Sequence, residues 1–146
     1  MRAPYTQLYV HLVWSTWDRL PLLTINIRPA IYACIQAECE KINAQLVAIG
    51  GTEDHVHLLA RIPVTLPIAT FAKQVKGSSS HMVNNCLQNA EPFKWQGGYG
   101  AFTVSKSLLP SIQSYILNQE QHHLEQTTDK DLEIAWVEKP NIDNDS

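Results

Sequence analysis

The sequence has few cysteines and no long hydrophobic run. Its three cysteines are odd in number and form no Cys-x-x-Cys pair, so neither a disulfide framework nor a zinc knuckle is predicted. No apolar stretch approaches the ~18 residues that cross a bilayer, and Met1-Arg2-Ala3-Pro4 lacks the apolar core of a signal peptide. We therefore expect a cytoplasmic protein with no membrane contact and with buried free thiols at Cys34, Cys39 and Cys86.

The charges are unevenly distributed along the chain. Residues 1–119 carry nine Lys and Arg against six Asp and Glu, whereas residues 120–146 carry two against eight, for a net charge of −3. A mildly basic body is compatible with phosphate binding, although acidic tails are commonly only solvated. At 146 residues with 45% hydrophobic composition, we predict one domain over residues 1–126 and an acidic, partly disordered tail over residues 127–146.

The hydrophobic periodicity predicts seven elements in the order strand, helix, strand, strand, helix, strand, helix. This order predicts an α+β, ferredoxin-like or RRM-like sandwich: a four-stranded antiparallel sheet with helices on one face, plus a C-terminal helix. The first strand and the third are expected to be the inner pair. The strands are predicted over residues 5–17, 45–49, 55–62 and 101–105, and the helices over 29–43, 67–87 and 108–125.

Two histidines, His55 and His57, lie on the third predicted strand, after an expected turn at Gly50-Gly51. Alternate strand residues share a face, so the two imidazoles lie about 7 Å apart on one side of the sheet. They can converge on one divalent metal if a third ligand comes from elsewhere. Half-buried structural histidines are the competing interpretation. His11 faces the same side if the strands are neighbours, and a structural role is favoured for it.

A tyrosine and a glutamine share one face of the last predicted helix. Tyr115 and Gln119 are four residues apart, one helical turn from each other. A phenol beside an amide oxygen suits a nucleophile next to a metal ligand. Ser107 is the expected N-cap of this helix. His123, one turn after Gln119, is a weaker candidate for a supporting role.

Several basic, hydroxyl and aromatic residues are candidates for contacts with a nucleic acid. Lysine, serine and backbone N–H groups commonly bind phosphates, and an aromatic ring in a glycine-rich loop can stack on unpaired bases. A solvated helix face or a position in the core is the competing interpretation for each. The candidates are Arg19, Lys73, Lys76, Ser78, Ser79, Lys94 and Trp95.

Together these motifs resemble the single-tyrosine HUH transposases of the IS200/IS605 type, including REP-associated tyrosine transposases. The likeness runs from about Tyr5 to His123. Each motif alone is weakly specific, but five in the same order are strongly specific. They are Val13-Trp14-Ser15-Thr16, Asp54-His55-Val56-His57-Leu58, Lys76-Gly77-Ser78-Ser79, the run from Trp95 to Ser105, and the run from Tyr115 to His123.

The resemblance implies metal-dependent cleavage and strand transfer of single-stranded DNA beside a hairpin. It implies that Tyr115 attacks phosphorus to give a 5′-phosphotyrosine, and that His55, His57 and Gln119 hold Mg²⁺ or Mn²⁺. It also implies a homodimer, and it leaves open whether the tyrosine helix of the same subunit or of the other subunit completes each site. The acidic C-terminus departs from the basic helix that usually ends the family's chains.

Three other functions are compatible with parts of the pattern. An RRM-like binding module would bind DNA without metal and would not need Tyr115 beside Gln119. A phosphoesterase with two His-x-Thr/Ser motifs fits poorly, because the chain has one His-x-His and no such pair. A transposase descendant kept for binding or processing hairpins at repeats would retain all of these residues, so the sequence does not separate it from a mobile-element enzyme.

Overall fold

The structure, a computed structural model, describes residues 1–89 and 91–137. Its centre is a four-stranded antiparallel sheet in the order β2-β3-β1-β4, and four α-helices pack around it. The predicted α+β sandwich is confirmed. The strands are β1 (Tyr9–Ser15), β2 (Gln45–Gly51), β3 (His55–Arg61) and β4 (Gly100–Val104), and the helices are α1 (Arg28–Lys41), α2 (Ile68–Cys86), α3 (Leu109–Leu117) and α4 (Gln119–Glu125).

The sheet is covered on both faces. The large core lies between one face and helices α1 and α2, where Leu12, Trp14 and Leu58 are fully buried. Alternation along the strands sends Leu59 to the opposite face, where it packs in a smaller cluster with Ile116 of α3. Burial on both sides explains why β1 and β3 are rich in apolar residues.

β1 and β3 are the two inner strands, as predicted. They pair antiparallel, with Val13 opposite His57 and Ser15 opposite His55. Inner strands have hydrogen-bonded neighbours on both sides, so their backbones are fixed. The histidines of β3 are therefore held on a rigid part of the fold.

The predicted turn at Gly50-Gly51 is wrong. Both glycines lie in β2, and the connection to β3 is Thr52–Asp54, closed by a 3.1 Å hydrogen bond from the Thr52 N–H to the His55 carbonyl. Gly50 is needed for packing instead, because a Cβ there would collide with the Ile116 carbonyl oxygen of α3. The glycine lets α3 approach the sheet closely.

The predicted helix over residues 108–125 is interrupted at Asn118, which ends α3 and begins α4. Its backbone (φ −109°, ψ 29°) is not helical, and its side-chain amide donates to the Ser114 carbonyl at 2.8 Å. The predicted N-cap at Ser107 is also wrong: Leu108 holds that position and makes no side-chain capping bond. Gln119 therefore begins a new helix and does not continue the one that carries Tyr115.

Residues 127–137, which we call the C-terminal segment, pack along the sheet face that carries the histidines. Ala135 is buried, and a Cβ on Gly100 of β4 would collide with the Ile134 carbonyl oxygen. The rest of the predicted acidic tail, residues 138–146, lies outside the described residues. Within the described ranges, no helix has the length and hydrophobicity of a membrane span.

Candidate metal and nucleophile site

His55 and His57 project from β3 beneath α4 and the C-terminal segment. Both are buried, 1% and 0% exposed, and their rings lie 5.1 Å apart at 76°. Their Nε2 atoms converge on one carboxylate oxygen, Glu133 Oε2, at 3.3 Å and 3.0 Å respectively. The shared strand face predicted from the sequence is thus confirmed, and it brings both imidazoles to one point.

The second ring nitrogen of His55 has a carboxylate partner. Its Nδ1 lies 2.8 Å from Asp54 Oδ1 and 2.9 Å from Thr52 Oγ1. The hydrogen bond with His55 is the main cause that holds the pKa of Asp54 below its ordinary value. An N–H on Nδ1 donating to this carboxylate leaves a lone pair on Nε2, which is the tautomer of a metal-ligating histidine. The preceding acidic residue, Glu53, is exposed to solvent, whereas Asp54 is half-buried.

The second ring nitrogen of His57 is paired with another histidine. His57 Nδ1 lies 2.8 Å from Nε2 of His11, which is fully buried on the neighbouring strand β1. Burial, followed by the proximity of His57, lowers the pKa of His11 to about 3. Burial also lowers the pKa of His57. Both shifts favour the neutral imidazole, the form in which a histidine such as His57 ligates a metal.

Gln119, the first residue of α4, lies beside His55 and His123. Its Oε1 lies 3.1 Å from His55 Nε2 and 3.2 Å from His123 Nε2. Its amide nitrogen donates to the Tyr115 carbonyl at 3.2 Å, which fixes the amide orientation. The ring of His123 also packs edge-on against His55, with centroids 4.7 Å apart.

Tyr115 lies beside the histidines of its own chain. Its hydroxyl donates a short hydrogen bond to Glu133 Oε1 and accepts one from the Asp129 N–H at 3.0 Å. Its ring stacks on His122 and lies 5.9 Å from the His57 ring. Burial and the Glu133 hydrogen bond raise the pKa of Tyr115 to about 12.

Glu133 of the C-terminal segment is the site residue that the sequence interpretation missed. One carboxylate oxygen faces the two histidines and the other accepts the Tyr115 hydroxyl. Burial opposes ionisation, but hydrogen bonds from His57 and Tyr115 outweigh it and lower the pKa of Glu133 to about 2. Glu133 is one of eight acidic residues after position 119, and no periodicity distinguishes it from the others.

The donor atoms of this cluster fit a divalent cation. One ligand atom each from His55, His57 and Glu133 lies within 4.8 Å of the others. The separations of 3.3 Å and 3.0 Å from the histidine nitrogens to Glu133 Oε2 match the roughly 3 Å between adjacent octahedral ligands of an ion bound at ~2.1 Å. With Nδ1 of His55 protonated, its Nε2 lone pair faces the oxygens of Gln119 and Glu133. A cation stabilises such a convergence of lone pairs. Imidazole and carboxylate donors together suit Mn²⁺ or Zn²⁺, and Mg²⁺ prefers the oxygens.

Two of the predicted DNA-contacting residues lie in the core. Trp95 is 7% exposed and packs edge-on against Trp14, and its indole N–H donates to the buried Ser79 hydroxyl at 3.0 Å. Ser79 in turn donates to the Val75 carbonyl. The prediction that Trp95 stacks on bases and that Ser79 binds phosphate is therefore wrong. Both side chains are buried, and their polar groups form hydrogen bonds inside the protein.

Lys76 is occupied by the backbone of the glycine-rich loop. Its ammonium donates to the carbonyls of Gln96 and Gly98 at 2.8 Å and 2.7 Å, and burial lowers its pKa. Ser78 is partly buried, whereas Lys73 is exposed. Lys76 thus holds the loop after α2 in place.

An exposed basic and aromatic surface borders the histidines. Arg19 is 51% exposed and lies 3.7 Å from Asp54, the partner of His55. The ammonium of Lys94 lies 3.7 Å above the ring of Trp17, which is 44% exposed. We call Trp17, Arg19 and Lys94 the rim.

The four-stranded antiparallel sheet, with paired histidines on an inner strand and a tyrosine on the helix packed beside them, is the arrangement that the resemblance to single-tyrosine transposases led us to expect. The family model described as "Transposase IS200 like" matches residues 4–119. The chain belongs to this IS200-like transposase family.

Individual relatives agree with this assignment. The transposases of insertion sequence IS200 from Salmonella typhimurium LT2 and Salmonella typhi are each 29% identical over 115 residues, which is 75% of this chain and 74% of theirs. A crystal structure of a candidate transposase from Deinococcus radiodurans R1 has a TM-score of 0.65 at 27% identity and covers 82% of this chain and 95% of its own. A REP-associated tyrosine transposase bound to a REP hairpin shares the fold (TM-score 0.63, 13% identity, 84% and 73% coverage).

Proposed function

We propose that this protein cleaves and rejoins single-stranded DNA in a metal-dependent reaction, with Tyr115 as the nucleophile. The observation that carries the proposal is the position of Glu133. One of its oxygens lies 3.0 Å from His57 Nε2, and the other accepts the Tyr115 hydroxyl. The two oxygens of Glu133 thereby connect His57, a candidate metal ligand, with Tyr115, the candidate nucleophile.

His55, His57 and Gln119 would hold the cation, and Glu133 adds a fourth ligand that the sequence did not reveal. The distances among their donor atoms support this set. We propose Mg²⁺ or Mn²⁺, the ions that the family resemblance implies; of the two, Mn²⁺ accepts the imidazole nitrogens more readily, and Mg²⁺ prefers the oxygens of Gln119 and Glu133. When bound, such a cation neutralises charge on a non-bridging phosphate oxygen and makes the phosphorus more electrophilic.

The covalent step follows from the position of the phenol. The Tyr115 oxygen forms a bond to phosphorus, the bond from phosphorus to the 3′-oxygen breaks, and the 3′-oxygen leaves and takes up a proton from solvent. The phenolic proton passes to Glu133 Oε1, which already accepts it in a hydrogen bond. Because the pKa of Tyr115 is about 12, the proton must leave as the attack proceeds.

The product is a 5′-phosphotyrosine, a phosphodiester like the bond that was broken. A 3′-hydroxyl of another strand can therefore reverse the step and join new ends without ATP. This property turns an endonuclease into a strand transferase, the activity that moves a DNA segment.

The rim is the proposed path of the DNA strand. Trp17 offers an exposed ring for base stacking, and Arg19 and Lys94 offer charge for phosphates. Lys73 is a further exposed candidate. We propose that the strand lies beside a DNA hairpin, and the hairpin-bound structural neighbour supports this.

A homodimer is proposed for the active protein. Leu117 of α3 and Leu124 of α4 are exposed apolar residues near the site, and such surfaces commonly pair between subunits. Light scattering should then give twice the chain mass of 16.5 kDa. A single-chain mass at all concentrations would exclude the dimer.

A covalent-adduct assay tests the proposed reaction. The protein is incubated with Mn²⁺ and labelled single-stranded DNA from the regions that flank its own gene, and adducts are detected as SDS-resistant shifts. The wild type and a control variant at the exposed Tyr5, Tyr5→Phe, should form the adduct, whereas Tyr115→Phe and samples with EDTA should not.

Each contrary result has a distinct meaning. An adduct that survives Tyr115→Phe would reject Tyr115 as the nucleophile, and one that survives EDTA would remove the metal from the reaction. Tight metal-independent hairpin binding without any adduct would favour the alternative, a domesticated protein that binds or processes hairpins at repeats.

A further inference from the structure

His11 makes one polar contact among the described residues, and that contact is with His57. Its Nε2 lies 2.8 Å from His57 Nδ1, while its own Nδ1 is buried without a hydrogen-bond partner in the described part of the chain. Its ring packs against Phe102 of β4 at 5.6 Å. A buried polar side chain is costly to keep, so a single contact that reaches a candidate metal ligand points to a role at that ligand.

The position of the hydrogen between the two rings decides what His57 can do. If His57 carries its hydrogen on Nδ1, it donates to His11 Nε2 and its own Nε2 keeps a lone pair. If His11 donates instead, His57 must carry its hydrogen on Nε2, where Glu133 Oε2 accepts it at 3.0 Å. The first arrangement binds a cation, and the second suits the cation-free site.

An imidazole at position 11 supports both arrangements, because a neutral imidazole can donate or accept through the same nitrogen after a change of tautomer. A carboxylate could only accept, and an ammonium could only donate. An apolar residue would leave His57 Nδ1 unpaired in the core. The strand register places His11 on the same sheet face, two residues from Val13, the partner of His57.

We infer that His11 is a positioning residue that orients the His57 ring and accepts its Nδ1–H when Nε2 binds the cation. This inference rests on the proposed function. His11 would accept the Nδ1–H of His57, as Asp54 accepts the Nδ1–H of His55. The two ligands would then differ in their partners, with a carboxylate behind His55 and a neutral imidazole behind His57.

Metal affinity in the absence of DNA tests the inference. The dissociation constant for Mn²⁺ is measured by titration calorimetry on the full chain for the wild type, His11→Gln, His11→Phe and the control His81→Phe, which alters an exposed histidine on α2. Gln can place an amide oxygen where the imidazole accepts, and Phe keeps an aromatic ring without the acceptor. We expect about 10- to 100-fold weaker binding in His11→Phe, near wild-type binding in His11→Gln, and no change in His81→Phe.

Equal Mn²⁺ affinity in folded His11→Phe and wild type would overturn the inference and leave the proposed function intact. Equal weakening in His11→Phe and His11→Gln would also overturn it, because packing alone would then explain the effect. A wild type that binds no Mn²⁺ would reject the proposed metal site, and the role of His11 with it.

A second readout does not depend on any variant folding. Histidine ¹⁵N shifts in the wild type report which ring nitrogen carries the hydrogen. With saturating Mg²⁺, we expect protonated Nδ1 on both His57 and His11. Protonated Nε2 on His57 in that state would overturn the inference.

Discussion

The hydroxyl of Tyr115 donates a hydrogen bond to the carboxylate of Glu133, 18 residues further along the chain. Residues 127–137 make this contact possible, because they fold back over the sheet face that carries the histidines. The contact keeps the phenol beside His57, with ring centroids 5.9 Å apart. It also keeps the phenol protonated, because an adjacent carboxylate disfavours a phenolate.

Replacement of Glu133 should remove the link between the Tyr115 hydroxyl and the proposed metal site. Glu133→Gln removes the negative charge, so the pKa of Tyr115 should fall from about 12 toward its ordinary value near 10. Mn²⁺ should bind at least about 10-fold more weakly, since a ligand is lost. Ultraviolet titration of the phenol and calorimetry measure the two effects. Asp131→Asn, an exposed carboxylate in the same segment, is the control, and identical values for both variants would contradict the role of Glu133.

Asp54 should matter for metal binding although it would not touch the metal. Asp54→Asn weakens the acceptor that fixes the His55 ring through Nδ1, and loss of such a partner typically costs 10- to 100-fold in affinity. Glu53→Gln removes a neighbouring exposed carboxylate and should leave affinity unchanged. Calorimetry with Mn²⁺ compares the two variants, and equal affinities would refute the assignment of Asp54.

Gly50→Ala should damage the site through the backbone. The added methyl group would collide with the Ile116 carbonyl oxygen and push α3, with Tyr115, away from the sheet. We expect a loss of roughly 1–3 kcal/mol in the free energy of unfolding and less covalent adduct. Gly77→Ala, in a helix with open space around it, should instead stabilise by about 0.5–1 kcal/mol. Chemical denaturation measures both, and a neutral Gly50→Ala would show that α3 can shift freely.

The stability should fall as the solution is made more acidic. His11 titrates near 6.5 in the unfolded chain but near 3 in the folded protein, so the unfolded state binds more protons between these values. The contribution is complete above about pH 6.5 and is lost as the pH falls toward 3, by up to about 1.4 kcal/mol per pH unit. Glu133, with its pKa lowered to about 2, acts in the same direction below pH 4.5.

Thermal unfolding of the wild type and His11→Gln from pH 7 to pH 4 measures how much His11 contributes to the pH dependence of stability. The wild type should lose more stability across this range than the variant. Parallel curves would contradict the lowered pKa of His11.

The site should be complete within one chain. Tyr115, Gln119 and the two histidines of the same chain meet in this structure, whereas the family resemblance left open whether the tyrosine helix comes from the same subunit or from the other. A mixture of Tyr115→Phe and His57→Ala proteins should therefore form no adduct. Restored adduct formation, at a level that rises with pre-incubation, would show that the helices exchange.

Local patterns in the sequence predicted much of this protein. Strand alternation put His55 and His57 on one face, and the four-residue spacing predicted that Tyr115 and Gln119 lie close together, although the helix between them is interrupted at Asn118. The order of elements was enough for the sandwich and for its inner strands. These features depend on residues close in sequence and on short-range periodicity, which a single chain displays directly.

Other features depended on contacts between distant residues. From the sequence, Trp95 and Ser79 were candidates for contacts with a nucleic acid. In the structure they form a hydrogen bond with each other in the core, although they are 16 residues apart in the chain. Glu53 and Asp54 are both acidic, and the Thr52–Asp54 turn selects Asp54 for His55. The sequence shows the chemical type of each side chain, but it does not show where the side chain points or whether it is buried.

The sequence alone determined the fold class, the paired histidines and the tyrosine helix, because each follows from the spacing of residues that are close together in the chain. Tertiary structure alone decided that Glu133 joins the site and that His11 contacts His57. Both contacts span long stretches of chain, 76 residues from His57 to Glu133 and 46 from His11 to His57. Such contacts form only when the sheet brings its strands together and the C-terminal segment packs across them, and no periodicity encodes that packing.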